Sequence, residues 1–397
     1  MLTGESILCF APDPWDDIWR NRHQIMSLLA AENQVLYVEP RPSLRPTLRQ
    51  LRKGRLTLAD FWSPTLSHAM PGLDVFHPPL YAPLSGRVPL STLTNALRAA
   101  SLRRAMRRLH MRQPILWLFR PDMADVPGRY GERLLIYHIV DEYMGYADVS
   151  AQRAEEIRRR ERDLIGKADL VLVTSQKLLE EKARFGHNVH WVPNAVDYER
   201  FANATAHRDE PVELRGLPHP RIGYVGAIND KLDIDLLCQV AETYAEASIV
   251  LVGPERLRAV ELCRGMETLR ANSNVRLIGR VPMERVPHFV ASCDVGLLPY
   301  LRNAWTESIH PLKMYEYLAC GLPVVSTDIP GVHAERDIIA IAGDADAFVS
   351  GIAQVLLEDS EPLRRERQVR ASHNTWKHRV ERISELIEAT RQKKRVH

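Results

Sequence analysis

Residues 308–325 read SIHPLKMYEYLACGLPVV, and this stretch indicates most clearly how the chain folds. Pro311 suits the first position of a helix, where its missing N–H costs no hydrogen bond. Gly321 suits the position just after a last helical turn, and Pro323 stops a helix before the apolar pair Val324 and Val325. We therefore expect a short helix at about residues 311–320 that leads directly into a buried strand.

Two charged residues share one face of this expected helix. Lys313 and Glu316 are three positions apart, so their side chains are neighbours. The free N–H groups at a helix start can hold an anion, and Lys313 can add a positive charge to a phosphate. Glu316, one turn further on, can accept hydrogen bonds from two adjacent hydroxyls. A nucleoside diphosphate presents this combination of phosphate and diol. The alternative is that Lys313 and Glu316 are a surface ion pair that stabilises the helix by about 0.2–0.5 kcal/mol. The spacing of the two residues, taken alone, favours this alternative.

Short apolar runs alternate with longer amphipathic runs in the first half of the chain. The apolar runs, each interpreted as a strand, are Ser6–Ala11, Gln34–Val38, Ile115–Phe119, Leu134–Val140 and Asp169–Thr174. Helical patterns lie between them at Asn21–Ala31, 92–112 and 151–167. This alternation is typical of a parallel sheet covered by helices.

A second series of strands begins after a break in this pattern. Residues 203–220 are polar, contain proline and lack periodicity, so we expect a linker there. The strands that follow are predicted at Arg221–Ile228, Ser248–Gly253, Val275–Val281, Val295–Tyr300 and Pro323–Asp328. The predicted fold class is α/β: two Rossmann-like doubly wound domains, residues 1–202 and 221–375, that face each other across a cleft. Ligands of such sheets bind at the carboxyl ends of the strands.

Composition and missing motifs exclude several classes of protein. The chain has 397 residues, of which 45% are hydrophobic and 26% charged, as in ordinary globular proteins. Its five cysteines are scattered, which favours a reducing compartment over a disulfide frame or a structural zinc site. No uninterrupted apolar stretch approaches 18 residues and no signal peptide is recognisable, so a cytoplasmic location is expected. The absence of G-x-G-x-x-G and of a P-loop argues against nicotinamide, flavin, kinase and ATPase chemistry.

The stretch from Glu316 to Val325 resembles the donor-binding helix of GT-B glycosyltransferases, in particular family 4. That family's hallmark is a glutamate followed by Tyr/Ala-x-Ala-x-Gly-x-Pro-Val-Val. Further segments that resemble the family occur in the family's order over about residues 170–330. They are 169–175, 192–197, 221–226, 250–254, 274–281 and 293–297. The resemblance implies a GT-B fold and a sugar transfer from a nucleotide sugar, with a final helix, residues 376–397, that crosses back to the first domain.

The resemblance also implies where the donor binds. Its candidate contacts in the second domain are Gly226, Lys231, Gly253, Pro254, Arg280, Val281, Ser308, His310, Lys313 and Glu316. Glu316 would bind the ribose, while Lys313, Ser308 and the amides near Ile309 and His310 would bind the diphosphate. Gly226 would let the backbone approach the phosphates or the sugar. Arg280 and Val281 would bracket the base, and Gly253 and Pro254 would line the same pocket.

Three departures from the family pattern limit what the resemblance carries over. The family often has a first glutamate that touches the donor sugar, but that position is Ser308 here, with Glu307 one place away. The family's Arg and Lys after the donor-loop glycine are Ala227 and Leu232, so phosphate charge is assigned to Lys231 and Lys313. The paired glycines after the first strand are replaced by Pro12-Asp-Pro14, so the identity of the acceptor is not inherited. In these departures the chain resembles a divergent bacterial branch of the family that makes cell-surface polysaccharide.

The end of the strand at 134–140 supplies the candidate catalytic residues, His138 and Asp141. An aspartate there can act as general base if the reaction inverts configuration; if it retains, either residue orients the acceptor or a sugar hydroxyl. The alternatives are a satisfied half-buried histidine and a capping aspartate. Arg22 and His23, which open the first helix, are weaker candidates. No cluster has metal spacing, and we expect no metal or other cofactor, because the helix dipole and lysine charge can stabilise the leaving diphosphate.

Basic residues are concentrated in two segments, 41–58 and 98–112, which contain no acidic residue. The second segment places Leu102, Met106 and Leu109 on one side of a helix and arginines on the others. It either docks on an anionic membrane surface or packs on the sheet through the leucine side. Nucleic acid is a poorer fit, because aromatic residues are not interleaved with the basic ones.

The sequence therefore predicts a hexosyltransferase-type glycosyltransferase that moves a sugar from a nucleoside-diphosphate sugar to a polysaccharide or lipid-linked acceptor. We expect the reaction to retain the configuration of the sugar. We expect the enzyme to be cytoplasmic and to associate peripherally with the inner face of the membrane. The alternatives are a sugar-nucleotide epimerase on the same fold and a non-catalytic partner protein. Fold analogy alone does not decide among them.

Overall fold

A computed structural model describes residues 1–54, 56–57, 59–63, 65–83, 90–142, 150–207 and 209–396. Two separate parallel sheets, each covered by helices, organise these residues. The predicted α/β class with two doubly wound domains is confirmed. Arg55, in the first basic segment, and His397 lie outside the described residues.

The first domain is built on an eight-stranded sheet of order β3-β4-β2-β1-β5-β6-β7-β8. All neighbouring strands are parallel except β3 and β4, which are antiparallel. The strands are β1 Ser6–Phe10, β2 Gln34–Val38, β3 Leu66–Met70, β4 Leu73–Phe76, β5 Ile115–Leu118, β6 Leu134–Ile139, β7 Leu170–Val173 and β8 Val189–Trp191. The helices are α1 Asn21–Ala30, α2 Leu44–Arg52, α3 Leu90–Arg108, α4 Ala151–Lys167 and α5 Gln176–Lys182.

The second domain is built on a six-stranded parallel sheet of order β13-β11-β9-β14-β15-β16, with a short pair β10-β12 beside it. The strands are β9 Arg221–Val225, β10 Ile228–Asn229, β11 Ser248–Val252, β12 Glu255–Arg256, β13 Val275–Gly279, β14 Val295–Leu298, β15 Val324–Thr327 and β16 Ala340–Ala342. The helices, counted from the end of the first domain, are α6 Tyr198–His207, α7 Ile234–Thr243, α8 Val260–Ala271, α9 Val286–Ala291, α10 Leu312–Ala319, α11 Ala345–Glu358, α12 Glu361–Ser372 and α13 Trp376–Val396.

The segment between the sheets is more ordered than the expected linker at 203–220. The helix α6 continues to His207, and a 3-10 turn occupies Val212–Leu214. Phe201 and Leu214 are buried in the core of the second domain. Burial of Phe201 and Leu214 thus attaches this segment to the second domain, although its apolar residues form no periodic pattern.

The last helix, α13, packs on the first domain. Trp376, Val380, Ile383 and Ile387 are buried in the same core cluster as β1 and β5. Near its end, Arg391 Nη1 lies 3.0 Å from Glu5 Oε1 and Lys394 Nζ lies 2.8 Å from Asp169 Oδ1. The chain therefore passes from the first domain to the second and back again. Among the described helices, none is long and apolar enough to cross a membrane.

Candidate donor and acceptor cleft

A deep cleft lies where the carboxyl ends of the two sheets face each other. Nine of the ten residues predicted to bind the donor line it: Gly226, Lys231, Gly253, Pro254, Arg280, Val281, His310, Lys313 and Glu316. From the first domain, Arg20, Arg22, Val140 and Asp141 line the opposite wall. Sheet topology thus brings together residues that are more than 250 positions apart in sequence, as expected at the switch point of doubly wound sheets.

The helix α10 positions Lys313 and Glu316 against the cleft. Met314, Tyr315, Tyr317 and Leu318 are buried on its other faces. The ring of Tyr317 packs on Gly296 of β14, where a Cβ atom would come within 2.4 Å of the ring. The Tyr317 hydroxyl also accepts a hydrogen bond of 2.9 Å from the Val225 N–H at the end of β9. This helix is therefore fixed to the strand whose carboxyl end forms the donor loop.

Gly226, directly after β9, has no room for a side chain. Its φ of 150° lies in the region that favours glycine, and a Cβ atom there would come within 1.8 Å of Lys313 Cε. The Lys313 stem therefore crosses the donor loop at van der Waals distance. Gly253, after β11, is equally confined, because its Cβ atom would meet the Gly226 carbonyl oxygen at 2.1 Å. The two glycines and Lys313 form one closely packed floor of the cleft.

Two lysines meet on this floor at a high electrostatic cost. Burial and the nearby Lys313 charge lower the pKa of Lys231 to about 7. Burial also lowers the pKa of Lys313, against the opposing effect of Glu316. Tyrosine rings support both ammonium groups: Lys231 Nζ lies 5.1 Å from the Tyr300 ring and Lys313 Nζ lies 5.4 Å from the Tyr224 ring. The floor can therefore receive an anion that compensates these two cations.

Asp141 lies opposite the lysines, just after β6. Burial raises the pKa of its carboxyl, while the charges of Lys231, Arg20 and Arg22 and a hydrogen bond with the Trp305 side chain oppose that rise. Glu316 shows a similar balance, since burial raises its pKa and Lys313 opposes the rise. Both carboxyl groups line the cleft, one in each wall. Each of them interacts electrostatically with one of the two lysines, Asp141 with Lys231 and Glu316 with Lys313.

Two predicted site residues lie outside the cleft lining. Ser308 is buried, and its hydroxyl contacts the Ala304 carbonyl at 3.4 Å. His138 is buried behind Asp141 between Trp117 and Phe119, with ring centroids 6.0 and 5.1 Å away. Burial, with a smaller effect of Arg22, lowers the pKa of His138 to about 3, so the ring is neutral at physiological pH. Both ring nitrogens are buried with no hydrogen-bond partner among the described residues, and the ring lies outside the cleft lining.

Glu307, the neighbour of the missing first glutamate, is engaged elsewhere. Its carboxylate pairs with Lys177 Nζ of α5 in the first domain. It does not line the cleft. Its carboxylate is therefore engaged in a contact between the domains and not in the cleft.

A buried charge network holds the backbone next to Asp141. Lys182 Nζ lies 2.7 Å from Glu142 Oε2 and 2.8 Å from Glu161 Oε2, and all three side chains are buried. The two carboxylates raise the pKa of Lys182 against the effect of burial. Because Glu142 follows Asp141 directly, this network fixes the end of β6 to α4 and α5. No periodic pattern or motif in the sequence indicates this network.

The first domain contributes further residues that sequence reasoning did not assign to the cleft. Asn21 donates to Asn194 (3.2 Å), and Asn194 donates to the His310 carbonyl (2.7 Å), so a chain of hydrogen bonds crosses between the domains. Arg22, a weaker candidate, is only 3% exposed and pairs with Asp13 in the loop after β1. Asn194 lies within the segment 192–197 that resembles the family, which is the one signal that could have identified it.

Comparisons with known proteins show a matching family model and a relative over most of the chain. Residues 219–358 match the family model described as glycosyl transferases group 1. The chain is 26% identical over 349 residues, 83% of each chain, to the protein named putative teichuronic acid biosynthesis glycosyltransferase TuaH from Bacillus subtilis.

Solved structures show the same two-domain arrangement. A sucrose-phosphate synthase from Thermosynechococcus elongatus superposes with a TM-score of 0.72 at 17% identity and covers 97% of this chain and 98% of its own. Anabaena HepE in complex with UDP and glucose superposes with a TM-score of 0.65 at 15% identity and covers 96% and 99%. At these identities the structural likeness establishes the fold, which is GT-B, as the resemblance implied.

Proposed function

We propose that this chain, a GT-B glycosyltransferase of hexosyltransferase type, moves a hexosyl group from a nucleoside-diphosphate sugar to a polysaccharide or lipid-linked acceptor, with retention of configuration. The observation that carries the proposal is the convergence of Lys231, Lys313 and Glu316 on one cleft beside the glycine floor. The relative TuaH is named for teichuronic acid biosynthesis, and HepE binds UDP and glucose, which supports a nucleotide-sugar donor and a polymer product.

The chemistry follows from the placement of charge. The diphosphate would lie against Lys231, Lys313 and the N-terminus of α10, whose free N–H groups favour an anion. Glu316, one turn further along α10, would accept hydrogen bonds from the ribose hydroxyls. When the glycosidic bond to the diphosphate breaks, the two lysines stabilise the departing negative charge. We propose that no metal is required for this step.

Replacing Glu316 with alanine tests the donor site. Loss of one charged hydrogen bond to a ribose hydroxyl costs about 1.5–3 kcal/mol, so we expect kcat/KM for the donor to fall by at least about 10–150-fold. A thermal-shift screen against UDP, GDP, ADP, CMP and TDP, with NAD as control, first identifies the base, since a ligand of the folded state raises Tm. The variant should lose that shift.

The matched control is Glu307→Ala, which removes a nearby carboxylate that does not line the cleft. It should keep the nucleotide-dependent shift. An unchanged shift and turnover in Glu316→Ala would contradict the donor assignment. Release of nucleotide, or conversion of the sugar, at full rate without any acceptor would favour the epimerase alternative.

Donor binding should be coupled to proton uptake at Lys231. Its pKa of about 7 leaves the free amine about half charged at pH 7. A diphosphate beside it favours the charged form and raises this pKa, so binding takes up a proton and nucleotide affinity falls as pH rises above 7. Calorimetric titrations at pH 7.5 in PIPES and in Tris should report different apparent enthalpies for the wild-type chain.

The control for this coupling is Lys231→Arg, because arginine remains charged throughout this pH range. The variant should bind nucleotide with the same enthalpy in both buffers and with a weaker pH dependence. Equal enthalpies for the wild-type chain would show that Lys231 does not receive the diphosphate.

The acceptor side is proposed to work at an anionic membrane surface. Leu102 and Met106 pack inward on α3, whereas Arg103, Arg104 and Arg107 are exposed.

The same helix exposes three leucines, Leu90, Leu93 and Leu97, spaced along one side. In α2, Leu48 is exposed together with Arg45 and Arg49. Exposed leucines beside arginines are the groups that insert into and bind an anionic lipid surface. Arg98 differs, since it is buried and donates to the Ala82 carbonyl at 2.9 Å.

Vesicle sedimentation checks the membrane proposal. The chain should co-sediment with phosphatidylglycerol-containing vesicles and not with pure phosphatidylcholine, and binding should weaken with salt. Leu93→Glu should lower it several-fold, because Leu93 is 58% exposed on α3. Leu357→Glu is the matched control, since Leu357 is 88% exposed on α11 of the other domain. Equal binding by both variants would contradict the proposal.

A further inference from the structure

A second chamber opens from the donor cleft on the side of the first domain. Among the described residues, the two cavities share Arg20, Arg22, Val140, Asp141 and Asn229. Asp141 therefore lies in the wall between them. A ligand in the chamber would reach the donor sugar past this carboxylate.

Arginines dominate the described lining of this chamber. There are seven of them, against four aspartates: Arg20, Arg22, Arg120, Arg153, Arg160, Arg256 and Arg258, with Asp13, Asp122, Asp141 and Asp230. The arginines come from both domains, and they are too far apart in the sequence to form a basic segment. The chamber is thus a concave, positively charged site made only by folding.

Several of these arginines are held in place by carboxylates. Arg120 Nε donates to Asp122 at 2.9 Å, and Arg160 Nη2 lies 2.7 Å from Glu156. Arg256 Nη2 donates to Asp17 of the first domain at 2.6 Å. These ion pairs orient the guanidinium groups, because a carboxylate fixes the direction of the N–H donors that it accepts from.

Arg22 gives an independent indication of an anion. It is 3% exposed, it lines both cavities, and its buried Nε–H has no hydrogen-bond partner. The carboxylate that pairs with it, Asp13, is shared with Arg20, whose Nε lies 3.8 Å away. A buried guanidinium that shares its carboxylate partner with a second arginine is energetically unfavourable unless a ligand supplies further negative charge.

We propose that this arginine chamber binds a phosphoryl group of the acceptor and thereby directs the acceptor hydroxyl past Asp141 to the donor sugar. The inference rests on the proposed transferase function and adds the chemical class of the acceptor. Guanidinium groups match phosphate oxygens with paired hydrogen bonds, and the seven arginines still outnumber the six carboxylates that line the chamber or pair with its arginines. The phosphoryl group belongs either to a soluble sugar phosphate or to a lipid carrier.

The test measures binding of small probes to the full chain by calorimetry, with and without the nucleotide found in the thermal-shift screen. The probes are glucose 6-phosphate, farnesyl phosphate, glucuronate and glucose. With nucleotide bound, so that the donor floor is occupied, we expect both phosphates to bind at least tenfold more tightly than glucose and glucuronate. Tighter binding of farnesyl phosphate assigns the group to a lipid carrier, and tighter binding of glucose 6-phosphate assigns it to a soluble acceptor.

Variants separate this chamber from the donor site. Arg120→Gln with Arg160→Gln changes side chains that line the chamber and not the donor cleft. The double variant should lose at least tenfold in phosphate affinity and keep the nucleotide-dependent rise in Tm. Arg382→Gln, on an exposed ion pair of α13, is the control and should change neither.

The outcomes distinguish this inference from the proposed function. Phosphates that bind no better than glucose, or that are insensitive to the double variant while nucleotide still binds, would overturn the chamber assignment alone. Glucuronate binding equal to that of the phosphates would overturn the phosphoryl assignment. Absence of any nucleotide shift, in contrast, would count against the donor site.

Discussion

Replacing Asp141 with asparagine is expected to lower kcat by about 10²–10⁴-fold, the usual contribution of a positioned acid–base group. The change keeps the shape of the side chain and removes the negative charge from the wall between donor and acceptor cavities. Nucleotide affinity should change little, because the lost carboxylate repels the diphosphate but also favours the charged form of Lys231. Steady-state kinetics together with nucleotide binding would measure both effects.

The anomeric configuration of the product assigns the role of Asp141. Retention with a loss near the lower limit indicates a group that orients the acceptor hydroxyl, and inversion with a loss near the upper limit indicates a general base. Asp163→Asn, in an exposed ion pair of α4, is the control and should leave kcat unchanged. An Asp141→Asn enzyme with wild-type kcat would exclude both roles.

Lys182→Met is expected to destabilise the first domain by about 3–5 kcal/mol, since breaking a buried ion pair leaves uncompensated charge. Two buried carboxylates, Glu142 and Glu161, would lose their shared cation. Burial already raises the pKa of Glu161, so mild acid protonates it more readily and should reduce the destabilisation. Urea unfolding followed at pH 7.5 and pH 5.5, through the transition of the first domain, would measure it.

The same experiment on Lys167→Met supplies the comparison. Lys167 pairs with Asp163 on the surface of α4 at 2.7 Å, with both side chains about half exposed. Such a pair is worth at most about 1 kcal/mol. A triple variant in which Lys182→Met is combined with Glu142→Gln and Glu161→Gln should recover much of the stability. Equal losses for the two lysine variants would show that the buried network does not stabilise the domain.

Local sequence signals were sufficient to predict the fold and the helix α10 that lines the cleft. The helix expected at about 311–320 is observed as Leu312–Ala319, and its Lys313 and Glu316 face the cleft. Pro311 and Gly321 specify the ends of that helix through backbone chemistry, which depends on few distant contacts. Buried parallel strands are continuous apolar runs, so most of them were identified too.

Features made by tertiary contacts were not predictable in this way. The short strands β3, β4 and β8 have three to five residues each and give no clear periodic signal. Arg256 and Arg258 look like surface residues in sequence, and only the facing of the two domains brings them near Arg22. His138 shows the opposite problem: its place at a strand end suggested a ligand contact, but the pleat turns it into an aromatic cluster.

The return of α13 to the first domain has a consequence for how the protein is made. The last strand of that domain ends at Trp191, whereas the helix that completes its core begins at Trp376. On a ribosome that adds 5–20 residues per second, the missing piece emerges on the order of 10–40 s later. The second domain, which uses a continuous segment, can finish folding first while the nascent first domain waits with an open apolar surface. Synthesis in the cell therefore exposes the N-terminal half to chaperones for longer than its position in the sequence suggests.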